Sequence, residues 1–129
     1  MTSERFLQAK RAAERRGRRG ELLAILLLVA KGYRVLGRRV RTHAGEIDIV
    51  ARSPGGIICF IEVKVRNSLR EAQEAVLPKQ VERIARAAEI FMAQQPRLVT
   101  KGVRYDMIVI SNRNWPQHLR DAWRPRGRT

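Results

Sequence analysis

The sequence predicts an α/β fold, and three observations carry that expectation. Helical periodicity brackets a central region whose apolar residues alternate instead, which gives the order helix, three strands, helix, strand (α-β-β-β-α-β). The chain has 129 residues, 44% of them hydrophobic, which suits one packed domain over residues 1–129. No internal repeat or linker divides it. Within that domain, residues 1–19 form a basic N-terminal helix or arm, 20–123 the core, and 124–129 a basic tail.

The first helix is expected from about Ser3 to Arg16. Phe6, Ala9 and Ala13 recur at helical spacing among Arg5, Lys10, Arg11, Arg15 and Arg16, and Ser3 can cap it. Gly17 and Gly20 then loosen the chain around Arg18 and Arg19. A second helical segment runs from Glu21 to Lys31, with Gly32 placed as the left-handed residue that stops it. Leu22 to Ala30 is an unbroken apolar run behind an arginine-rich start, which resembles an export signal. Glu21 at its mouth, and the poor cleavage site at Val29-Ala30-Lys31, argue against export. A helix buried on most sides accounts for the same run, and the expected location is the cytoplasm. No apolar stretch reaches the ~18 residues that a membrane span needs, so no membrane partner is expected.

Tyr33–Leu36 and Arg39–Arg41 read as a first extended segment, Glu46–Arg52 as a second strand and Ile57–Arg66 as a third. Ser53-Pro54-Gly55-Gly56 between the last two is a strong turn signal. Asn67–Leu77 is polar and weakly periodic, a loop or irregular helix. Pro78 suits the first position of a helix whose apolar stripe is Val81, Ile84, Ala85, Ala88, Phe91 and Met92, ended by Pro96. Val103, Tyr105, Met107 and Val109 alternate as a fourth strand, and Trp115–Trp123 adds a short edge strand or helical turn.

Charge points to the partner. Lys and Arg number 27 against 12 Asp and Glu, a net charge of +15. Residues 1–45 carry +9, 46–110 only +2, and 111–129 carry +4. Of the cations, 22 are arginine, whose planar fork grips phosphate in a bidentate way. Nucleic acid is therefore the favoured partner, and the arm residues Arg11, Arg15, Arg16, Arg18 and Arg19 are its candidate contacts. The single cysteine, Cys59, excludes an internal disulfide and a cysteine-rich zinc site; its expected state is a buried, inert thiol. His43 and His118 stand too far apart in sequence for a multi-histidine metal site.

The acids concentrate where the cations thin out. On strands, Glu46 and Asp48 project together, as do Glu62 and Lys64, among Ile47, Ile49, Ile61, Val63 and Val65. Charges embedded in such strands are costly unless paired or holding a metal. Either Lys64 pairs with a carboxylate on a solvated face, or carboxylates from two strands bind a divalent cation with Lys64 assisting. Register decides whether the second is possible. A three-residue turn, Pro54-Gly55-Gly56, sets Ser53 opposite Ile57, Asp48 opposite Glu62 and Glu46 opposite Lys64, whereas a two-residue turn puts Glu62 on the other face.

Gly45-Glu46-Ile47-Asp48 followed by Phe60-Ile61-Glu62-Val63-Lys64 resembles the core motif of the PD-(D/E)XK nuclease superfamily. More narrowly, the chain resembles the YraN-like family of small bacterial proteins. Gly20-Glu21, Lys79-Gln80, Arg104-Tyr105-Asp106 and Asp121-Ala122-Trp123 are further matches, so the likeness covers about residues 17–123. Ile47 departs from the proline often found there in the superfamily.

That resemblance implies a restriction endonuclease-like core, a mixed β-sheet flanked by helices as in Holliday-junction resolvases. It also implies a metal-dependent endonuclease that hydrolyses phosphodiester bonds, in DNA before RNA and with branched DNA among its substrates. Asp48 and Glu62 would ligate Mg²⁺ or Mn²⁺, with the Val63 carbonyl and Glu21 as further ligands. Lys64 would orient or deprotonate the attacking water, Glu46 would support the acids, and Lys79 or Gln80 would touch the site. A symmetric substrate would call for a homodimer. The alternative is a non-catalytic nucleic-acid-binding protein on the same scaffold, since the charge of +15 suits binding alone.

Other residues carry weaker expectations. Asp106 is opposite in parity to Tyr105 and Met107, which could turn it toward the acids, though a structural partner for Arg104 is the stronger reading. His43 and His118 stay outside the catalytic set. Trp115 and Trp123 are expected to cover the edge of the core more than to stack on bases.

Overall fold

The computed structural model describes residues 2–111 and 115–124, with the side chains of residues 2, 3 and 12–16 outside that description. Helix α1 (Thr2–Ala30) runs unbroken for 29 residues, where two segments were expected. It begins at Thr2, and the side chain of Ser3, the expected cap, lies outside the described residues. Gly20 does not break the helix; it lets the helix touch the sheet. A Cβ at Gly20 would stand 2.7 Å from Val65 Cγ2. At the other end Gly32 adopts φ +86 as expected. The Gly32 N–H donates to Val29 O at 3.0 Å and the Tyr33 N–H to Leu28 O at 2.9 Å, so the last carbonyls are satisfied as the chain turns.

Five strands follow in a mixed sheet of order β1-β2-β3-β4-β5. They are β1 (Arg34–Thr42), β2 (Gly45–Arg52), β3 (Ile58–Val65), β4 (Val103–Ile110) and β5 (Gln117–Leu119). β1, β2 and β3 are antiparallel in succession, β4 is parallel to β3, and β5 is antiparallel to β4. The β1–β2 register slips at a bulge between Val35 and Gly37. The parallel step needs a crossover, supplied by α2 (Leu69–Ala75) and α3 (Pro78–Gln94). The expected helix–strand order holds, with α2 added and β5 as the short edge strand expected within Trp115–Trp123. Of the two readings of Asn67–Leu77, loop or irregular helix, the helix is the one found: Ser68 caps α2, its hydroxyl accepting the Glu71 N–H at 3.1 Å. Pro78 opens α3 as expected.

The helices cover both faces of the sheet. Ala24 and Leu28 of α1 pack with Tyr33, Ile49, Cys59, Ile61 and Ile108 on one face. Ala87, Ala88 and Phe91 of α3 pack with Ile47, Val50, Ile58 and Phe60 on the other. Only one side of α1 meets the sheet, so the run Leu22–Ala30 is not buried on most sides. Leu22, Leu23, Leu26 and Val29 are exposed, Leu26 by 64%. No helix among the described residues is long and apolar enough to cross a membrane.

Candidate functional site

The β2–β3 hairpin closes through the turn that its sequence predicts. Gly56 takes φ +93, the Gly56 N–H donates to Ser53 O at 2.9 Å, and the Ser53 N–H donates to Ile57 O at 2.8 Å. The ladder then runs Arg52↔Ile58, Ala51↔Cys59, Val50↔Phe60 and Ile49↔Ile61. That is the register that brings Asp48 level with Glu62. Pairing ends at Ile49, however. In place of the next backbone bond, Asp48 Oδ2 accepts the Val63 N–H at 2.8 Å. Ile47 and Val50, three residues apart, both pack against α3, so strict alternation fails at Asp48 and Ile49. Asp48 thus sits where the strands part and lines clefts on both sides of the sheet.

Glu62 is buried beneath a cation and an amide. Lys64 Nζ stands 3.1 Å from Glu62 Oε1, and Gln80 Nε2 donates to the same oxygen at 2.8 Å. Gln80 Oε1 also accepts from Lys64 Nζ at 3.5 Å, so α3 braces the pair. Glu46 is not opposite Lys64 as expected. The strands have already separated there, and Glu46 pairs with Arg41 on β1 at 3.3 Å.

Glu21 reaches the cleft from α1, buried, with Arg39 Nε donating to its Oε2 at 2.9 Å. Arg38 Nε stands 3.5 Å from Oε1, an ion pair without a hydrogen bond, so this buried oxygen has no hydrogen-bond partner among the described residues. Arg39 adopts φ +47, a left-handed conformation that an arginine holds only under tertiary constraint. Arg39 and Arg41, which the sequence reading did not select, line a cleft of about 470 Å³ with Arg18, Glu21, Glu46 and Asp48. Their one local signal is the interrupted alternation of β1 at Gly37-Arg38-Arg39.

The electrostatics follow from this crowding. Burial, reinforced by the nearby charges of Glu62 and Glu21, pushes the Asp48 carboxyl up to about 7 against the opposing Val63 hydrogen bond and Lys64. Among the described residues, no three His, Cys, Asp or Glu side chains lie close enough together to share a metal ion. Glu62 and Glu21 are held by cations and an amide instead.

The remaining candidates divide clearly. Lys79 and Gln80 line a second cleft, of about 490 Å³, with Asp48 and Glu62. Val63 lines the Glu21 cleft. Arg11, Arg18 and Arg19 are exposed on α1, Arg18 beside Glu21, while the side chains of Arg15 and Arg16 lie outside the described residues. His43 is exposed in the β1–β2 turn.

Asp106 does not face the acids. In the parallel ladder Met107 partners Glu62 and Asp106 partners Ile61, which places Asp106 on the α1 side. There it is fully buried under a fork from Arg104, with Nε–Oδ1 and Nη2–Oδ2 both 2.8 Å. His118 Nε2 lies 2.8 Å from its Oδ2, so His118 holds β5 to β4. Cys59 is buried as expected, and burial first pushes its thiol up to about 11, leaving it unreactive. Trp123 packs at the edge of the core with Met107 and Leu119, whereas Trp115 is 87% exposed.

Fold and site define a small α/β protein with a carboxylate–lysine–amide cluster where two antiparallel strands separate, ringed by arginines. Residues 20–110 match the family described as Uncharacterised protein family UPF0102, and the chain belongs to that family. It is 50% identical over 118 residues to a UPF0102 protein of Maricaulis maris, covering 92% of each chain. It is 48% identical over 114 residues to one from Parvibaculum lavamentivorans, covering 88% of this chain and 85% of that one. A Mesorhizobium japonicum relative is 43% identical over 121 residues, 94% of this chain and 96% of its own.

Proposed function

We propose that the protein is a metal-dependent endonuclease with a restriction endonuclease-like core of the PD-(D/E)XK superfamily, acting on DNA in preference to RNA. One observation carries the reading. Asp48 and Glu62 come level where β2 and β3 part, with Lys64 on Glu62 and Glu21 entering from α1.

The donor chemistry fits a hard divalent ion. Every candidate side-chain ligand is a carboxylate oxygen, the acids raise the proton affinity of Asp48, and a buried oxygen of Glu21 lacks a hydrogen bond. Asp48 and Glu62, with the Val63 carbonyl, would hold Mg²⁺ or Mn²⁺, with Glu21 standing near the ion from α1. Such an ion, when bound, would make a bound water easier to deprotonate and neutralise charge on the phosphate. The chain's own groups do the rest. Lys64 Nζ carries a proton beside the attacking water and offsets phosphate charge, and Gln80 keeps Lys64 and Glu62 in place. Arg18, Arg39 and Arg41 bind the flanking backbone at the rim of the cleft.

A cleavage screen over linear, nicked, flapped and four-way DNA and structured RNA, with Mg²⁺ or Mn²⁺, tests this. Asp48→Ala and Glu62→Ala are expected to abolish cleavage with the fold retained, as is EDTA. Lys64→Ala should lower turnover more than binding. Cleavage undiminished in Asp48→Ala refutes the reading.

A second reading, a non-catalytic nucleic-acid-binding protein, is favoured by a different observation. Glu62 and Glu21 are already neutralised, by Lys64 and Arg39. Calorimetry separates the two: tight DNA binding with no heat from Mg²⁺ or Mn²⁺ supports the binder.

A further inference from the structure

A third cleft, of about 410 Å³, opens between α2, the start of α3, β4 and β5. Its volume suits a ligand the size of one ring system. Met107 and Leu119, cross-strand partners on the sheet, belong to its lining. Trp123 forms one wall, and its indole Nε1 is buried without a hydrogen-bond partner among the described residues. Arg120, an exposed guanidinium, and Gln73, an exposed amide, also line the cleft.

Position ties this cleft to the acids. Met107 is the ladder partner of Glu62, so the cleft begins one strand away from it, about 4.8 Å, on the same face of the sheet. The α2–α3 junction is a shared wall. Leu77, Lys79 and Gln80 face the Glu62 cleft, while Val76 and Val81 face this one. An occupant resting on Val81 therefore bears on the same helical turn as Gln80, which holds Glu62.

We propose that this cleft is a subsite for one unpaired nucleotide, an assignment that rests on the nucleic-acid reading above. The base lies against Leu119 and the ring of Trp123, and its phosphate meets Arg120. Within a duplex the faces of a base are stacked and its edge is paired, so only an unpaired or extruded nucleotide can enter. A free nucleotide and a nucleotide within a strand present the same chemistry.

The test is metal-free and so independent of cleavage. Trp115→Phe, at an exposed side chain, leaves Trp123 as the sole indole. This full-length protein in EDTA is titrated with thymidine 5′-monophosphate, oligothymidylate and a matching duplex, and Trp123 emission is followed. Emission is expected to change with the first two and not with duplex. A response to the monophosphate alone identifies the source as free nucleotide; a tighter response to the oligonucleotide identifies it as a strand. Arg120→Ala should weaken binding about tenfold, the loss of one charge-assisted contact. Gln73→Phe, at an exposed position, should close the cleft and abolish the response with an unchanged circular dichroism spectrum. Silence of Trp123 with all three ligands, or an equal response to duplex, overturns the proposal. If Trp123 is silent while flapped DNA is still cut, the subsite fails and the nuclease reading stands. If Trp123 responds while nothing is cut, the reverse holds.

Discussion

Asp48 and Val63 are joined by a side-chain hydrogen bond, Oδ2 to N–H at 2.8 Å, one position beyond the last backbone pair of β2 and β3. The carboxylate replaces a peptide carbonyl in the ladder. A charged group is thereby drawn between two strands, close to two other acids, and each consequence can be measured.

Asp48 should make stability fall with rising pH. Its carboxyl titrates at about 7 in the fold, against about 3.9 in an unfolded chain, so the folded state holds the proton more tightly. The contribution is fully present below about pH 4 and is lost as pH rises through about 7. Asp48→Asn keeps an acceptor for the Val63 N–H and removes that slope. Urea midpoints should show the variant gaining on the wild type by about 1–3 kcal/mol between about pH 5 and pH 8.

Asp106 should act in the opposite sense. Burial alone would raise its carboxyl, but hydrogen bonds from Arg104, His118 and the Asp121 N–H outweigh burial and hold it at about 2. Its contribution is present above about pH 4 and lost as pH falls through about 2. Arg104→Met leaves the buried acid without its fork and is expected to cost about 3–5 kcal/mol near neutral pH, read from thermal or urea unfolding.

Arg39 can be separated into backbone and side-chain parts. Arg39→Ala and Arg39→Gly both remove the partner of Glu21, yet only glycine is at ease at φ +47. The glycine variant should be the more stable by about 1 kcal/mol, while both weaken DNA binding equally. Equal stabilities would mean that the left-handed conformation carries no strain.

The arm can be tested by salt. Among the described residues of α1 the first buried one is Gly20, so deleting residues 1–19 should leave the core folded. If Arg11, Arg18 and Arg19 lie on DNA, the deletion flattens the salt dependence by about 0.9 per lost phosphate contact and leaves divalent-ion affinity unchanged. An unaltered slope in a folded truncation would move the DNA contact to the arginines of β1 or the C-terminal segment.

The part of the site built by local chemistry was legible in the sequence. The turn at Pro54-Gly55-Gly56 sets the register, and the register brings Asp48 level with Glu62. Gln80 was reached through the family resemblance, since Pro78 announces the start of its helix but not what that helix faces. The orientation of Asp106 was not. β4 pairs with β3 in parallel, and the crossover through α2 and α3 sets that register without any turn to read. α2 carried an unread signal, Ser68 followed three residues later by Glu71. Arg39 had only the break in β1 to mark it, because its conformation depends on Glu21, eighteen residues earlier on another element.

The bulge in β1 has a consequence for self-association. An outer strand offers unpaired peptide groups that another sheet can extend, the usual route to fibrous aggregation. Here β1 is kinked between Val35 and Gly37 and carries Arg34, Arg38, Arg39 and Arg41, so a second copy meets both a misfit and like charge. The opposite margin, β5, is three residues long. Both margins resist extension, and the exposed Leu22, Leu26 and Val29 of α1 leave an apolar surface through which copies can meet by helix contact instead.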